Sequence, residues 1–86
     1  MVLHETLLIS LKELSQQLYG RDNHCDYLNG QVEELRILIE TFKETRKKDV
    51  VFYTFLMDFC QRQVLRIAGE LEQHKNSKPT YKTFGG

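Results

Sequence analysis

Six positions set the strongest constraint on this chain. Cys25, Leu28, Val32, Leu35, Ile39 and Phe42 follow one another at spacings of three, four, three, four and three residues. That is an unbroken a/d seam, the pattern of a helix that buries one narrow stripe against other helices. Asn29-Gly30 falls inside the seam and would by itself suggest a turn. The phase continues across the pair, so the helix reads through it, at about 1 kcal/mol of lost helix propensity for the glycine.

Two further segments share this periodicity. Leu3, Leu7, Leu11, Leu14 and Leu18 recur at helical spacing, and Gly20 follows where a left-handed glycine ends a helix. Tyr53, Leu56, Met57, Cys60, Val64, Ile67, Ala68 and Leu71 fall in one arc of roughly 120° on a third helix. Asp22 or Asn23 can cap the second helix and Asp49 the third. The single proline stands at position 79, beyond all three. Helices are therefore expected at about 3–19, 22–46 and 50–74, the last two forming an antiparallel hairpin with a short polar connection. The fold class is all-α, a three-helix bundle in one domain over 1–74, followed by a flexible basic tail over 75–86. One rival geometry shares the same pattern. The phase of the first helix runs on through Arg21 into Cys25, so a continuous coiled-coil rod would form if Gly20 did not interrupt it.

Charge narrows the function. Lys and Arg number 12, matching 12 Asp and Glu. Residues 1–74 carry nine cations against twelve acids, a balance of −3, while Lys75, Lys78 and Lys82 give the tail +3. A mildly acidic body disfavours a fold built to neutralise phosphates. The segment from Met1 to Ile9 has no basic cluster and only a short apolar run, so no signal peptide is expected. No stretch reaches the ~18–20 apolar residues of a membrane span. Two cysteines make no disulfide framework, and the expected location is cytoplasmic.

Chemistry finds little purchase. The chain holds no glycine-rich phosphate loop, no nucleophile elbow and no paired carboxylates on a core face, so it reads as a non-enzyme. Folding the hairpin about residue 48 pairs positions whose numbers sum to about 96. Cys25 and Cys60 then lie roughly 16 Å apart at 1.5 Å per residue, too far for a disulfide. His24, Cys25 and His74 converge at the open end, with Asp22 or Asp26 beside them. None has the spacing of a metal motif. The expectation is a seam cysteine flanked by exposed histidines, with no metal and no cofactor.

Apolar surface is the more informative surplus. Residues 50–60 are apolar at nine of eleven positions, more than one face of a helix with two neighbours requires. Phe52, Phe55 and Phe59 point some 110° away from the Tyr53/Cys60/Ile67 face at 100° per residue. The first helix could cover them as core; otherwise they await a partner. The expected function is a small protein–protein interaction module, an adaptor, assembly subunit or inhibitor, that self-associates as a dimer or larger. Its candidate partner-binding residues are Val51, Phe52, Phe55, Phe59, Arg62 and Arg66. A second candidate is a linear motif in the tail formed by Lys78, Pro79, Tyr81, Lys82 and Phe84. The alternative function is accessory nucleic-acid binding through Arg62, Arg66 and the basic tail.

Overall fold

Helix α1 (Leu3–Leu18) sinks one row of leucines, and its two ends are made by different chemistry. Leu7, Leu11, Leu14 and Leu18 are buried, while Leu3 stays exposed at the start. Val2 precedes the helix and supplies no side-chain cap. The first turn is instead satisfied from a distance. The backbone N–H of His4 donates to the Tyr53 hydroxyl at 3.1 Å, and His4 Nδ1 lies 2.8 Å from the same oxygen. The two rings meet edge to face, 5.9 Å between centroids. At the other end Tyr19 N–H reaches Ser15 O, Arg21 N–H reaches Leu18 O, and Gly20 takes φ +74°. Only glycine adopts that left-handed turn without penalty. It breaks the rod that continuous heptad phase would allow.

The structure, a computed structural model, describes the backbone of residues 2–85 and the side chains of residues 2–76. Helix α2 (Asn23–Phe42) begins under Asp22, whose Oδ1 accepts from Cys25 N–H at 2.9 Å. It ends earlier than periodicity predicts. After Phe42 the chain tightens into a 3-10 segment (Lys43–Lys47), where the Thr45 hydroxyl donates to Phe42 O at 2.7 Å. Such side-chain bonding to the backbone competes with the helical ladder, and a tighter last turn is a common result. Asp49 then caps helix α3 (Val50–Gly85), its Oδ1 accepting from Phe52 N–H at 3.0 Å. The helix passes the expected end at residue 74. The tail motif of Lys78, Pro79, Tyr81, Lys82 and Phe84 lies outside the described side chains.

The three helices run up, down and up around one core and form an all-α bundle. Cys25, Leu28, Val32, Leu35 and Ile39 come from α2, and Tyr53, Met57, Cys60, Val64, Ile67 and Leu71 from α3, against the four leucines of α1. Among the described residues no charged or polar side chain is buried in this core. Leu56 and Ala68 are half-buried at its margin. So is Phe42, the last residue of the seam, which meets Phe52 edge to face at 5.8 Å across the turn. The hairpin register follows the expected arithmetic. The pairs Asp22–His74 and Gln31–Arg66 are hydrogen-bonded between helices, and their numbers sum to 96 and 97.

The hydroxyl of Tyr53 is the long-range tie of α1, because it satisfies an N–H that Val2 leaves open. Tyr53→Phe keeps the buried ring and removes that acceptor. Its expected cost is about 1–2 kcal/mol, read as a lower urea midpoint. Faster amide exchange in the first turn of α1, with the centre of α2 unaffected, is the local signature.

Candidate functional site

Closing the core leaves the phenylalanines of α3 outside it. Phe52, Phe55 and Phe59 remain 40%, 74% and 46% exposed, and Val51 is 76% exposed. Helix α1 therefore does not cover this stripe. Its inner edge runs along the α2–α3 seam, where a groove of about 340 Å³ opens. Leu35, Leu38 and Phe59 supply the apolar lining, and Gln31, Glu34, Gln63 and Arg66 the polar rim. The aromatic stripe and the groove form one continuous surface, since Phe59 belongs to both.

The two arginines stand further along the same stripe. Arg62 Nε lies 3.0 Å from Asp58 Oδ2, an exposed pair one turn apart. Arg66 reaches Glu70 at 2.6 Å and Gln63 Oε1 at 3.0 Å, and it also donates to Gln31 Oε1 on α2. Each arginine thus has an acid of its own helix beside it, and neither projects a bare positive charge. This weakens the nucleic-acid reading, which needs a field that attracts phosphate. It suits a protein interface, where exposed ion pairs contribute little and rearrange readily.

Sequence periodicity places Phe52, Phe55, Phe59, Arg62 and Arg66 on one side of α3, and the structure agrees. It does not reveal the groove. Leu38 flanks the a/d seam rather than lying in it, and its role emerges only when α3 packs alongside. The Phe42–Phe52 contact was likewise hidden, because it depends on the turn bringing the end of one helix onto the start of the next.

A second cluster sits at the open end of the bundle. Asp22 uses one carboxylate oxygen for the cap of α2 and turns the other, Oδ2, to His74 Nε2 at 2.7 Å. Ligand-type atoms of Asp22, Cys25 and His74 all lie within 4.8 Å of one another. The ring of His24 stands 4.9 Å from that of His74, centroid to centroid. The amide of Cys25, and then His74, hold the Asp22 carboxyl well below the usual carboxylate range. Burial pushes the Cys25 thiol up, with a smaller contribution from Asp22. Burial alone pushes up Cys60, the other free cysteine. The convergence at this end was expected from the hairpin arithmetic. The half-burial of His74 was not, because it follows from the hydrogen bond to Asp22.

The chain matches no protein-family model, and neither the curated proteins nor the solved structures offer a match to it. Among the described residues, no helix is long and apolar enough to cross a membrane. The surface chemistry itself is what bears on function.

Proposed function

We propose that the chain is a small, non-enzymatic protein–protein interaction module that pairs with a second copy of itself through the aromatic stripe of α3. The observation that carries this reading is the exposure of Phe52, Phe55 and Phe59 after the three-helix core has closed. Aromatic anchors bordered by arginines are the usual make-up of interface hot spots. The order of residues along the stripe favours a second copy. If two α3 helices cross antiparallel about Phe59, Arg66 of one copy comes beside Phe52 of the other. Arg62 of one copy then lies near Phe55 and Leu56 of the other. Guanidinium groups over aromatic rings attract by about 0.5–1 kcal/mol at exposed sites and more when desolvated. The arrangement is self-complementary, as a two-fold interface must be.

Such a module serves as an adaptor, an assembly subunit or an inhibitor, and two free buried thiols suit a cytoplasmic setting. Light scattering of the full chain over a range of concentrations tests the pairing. The expected mass is that of a dimer or a larger closed assembly, dissociating on dilution. A mass that stays monomeric at every concentration removes self-association.

A further inference from the structure

We propose that Asp22, Cys25 and His74 are the ligands of a divalent transition-metal site, with Zn2+ the ion they fit best. Their ligand atoms lie within 4.8 Å of one another. Around a tetrahedral zinc, oxygen, nitrogen and sulfur ligands stand about 3.3–3.8 Å apart, given bond lengths of ~2.0–2.3 Å. The Asp22–His74 contact, 2.7 Å, must open by a fraction of an ångström, and the wider separations, none above 4.8 Å, must close by up to about 1–1.5 Å.

The donor set selects the ion. A thiolate, an imidazole and one carboxylate suit zinc and its borderline neighbours, whereas Ca2+ and Mg2+ require oxygen cages. Charge balances as well: an ionised Asp22 and a Cys25 thiolate together neutralise a dication. The thiol proton leaves to solvent as the Cys25–metal bond forms, a displacement that metal ions drive even from a reluctant thiol. Asp22 keeps its capping role, since Oδ1 holds the Cys25 amide and only Oδ2 turns to the metal. The backbone of α2 thereby orients a ligand, as supporting hydrogen bonds do in known metal sites. His74 also lines a surface hollow together with His24, Glu70 and Gln73, so water or His24 is at hand as a fourth ligand.

A purely structural role for the cluster has different consequences. An Asp–His hydrogen bond over a buried cysteine ties the end of α2 to α3 and has no response to metal. The full chain, stripped with chelator and titrated with Co2+, separates the two. The expected result is a near-ultraviolet thiolate-to-cobalt charge-transfer band with tetrahedral visible absorption, saturating at one ion per chain and displaced by Zn2+. Cys25→Ala should abolish the band and Cys60→Ala should retain it. Asp22→Asn keeps a capping oxygen and loses the carboxylate, and His74→Ala removes a half-buried ring. Each should weaken Co2+ binding by at least about tenfold while the protein stays helical. Absence of the band in the wild-type chain overturns the proposal. So does a band that survives Cys25→Ala, or affinity unchanged in both folded variants, Asp22→Asn and His74→Ala.

Discussion

Phe55→Asp is expected to leave the chain monomeric at unchanged helix content if the aromatic stripe of α3 is the proposed self-association surface. Phe55 is 74% exposed in the single chain, so a carboxylate placed there reaches water and costs the isolated subunit little. At a two-fold interface the same substitution acts twice. It removes an aromatic anchor from each copy and buries a carboxylate at each of two places in the interface, where desolvation opposes pairing. Hot-spot losses of about 2–4 kcal/mol correspond to a dissociation constant weakened roughly 30- to 1000-fold. Sedimentation reads the mass, and circular dichroism with a urea melt reads the fold. A variant that dissociates with its folded signal intact supports the interface. One that remains associated, or that unfolds, shows that Phe55 has another role.

Leu28→Ala carries the largest expected loss of stability. Leu28 is fully buried in the second turn of α2, within the core shared with α1 and α3. Truncation removes its transfer free energy and leaves a cavity that three packed helices refill only in part. The cost is about 2–5 kcal/mol. Domains of this kind hold only about 5–10 kcal/mol in total, so the urea midpoint should fall by about a fifth or more with an unchanged slope. Ile37 on the same helix is 53% exposed, and Ile37→Ala should change stability by no more than about 0.5–1 kcal/mol. Equal effects at the two positions would contradict the orientation of α2.

Much of the fold was legible because it rests on local chemistry. The seam from Cys25 to Ile39 keeps its phase, and Gly20, Asp22 and Asp49 mark helix boundaries by what their backbones and carboxylates can do. Three features lay beyond that reach. The end of α2 depends on a threonine hydroxyl competing for the carbonyl of Phe42, which periodicity does not register. The Tyr53–His4 tie joins residues 49 apart in sequence, so no local pattern announces it. The flank of α3 that α1 occupies was also open. Each helix shows which of its faces is apolar, but not on which side of a hairpin the third helix settles. Phe52, Phe55 and Phe59 read equally well as core or as surface until that choice is made. The open-end cluster was half legible: its members follow from the hairpin register, but the double use of Asp22 does not.

The up-down-up path also bears on how the bundle responds to force. His4 is tied to Tyr53 at the end where α3 begins, while His74 meets Asp22 at the opposite end. Tension applied between residues 4 and 74 therefore pulls α1 and α3 along their axes in opposite directions. The core rows of all three helices must slip past one another together, in shear, instead of opening one contact at a time. Tension between residues 22 and 74, at one end of the α2–α3 hairpin, would peel those helices apart in sequence. The same bundle should thus resist stretching strongly along one pair of handles and yield easily along the other.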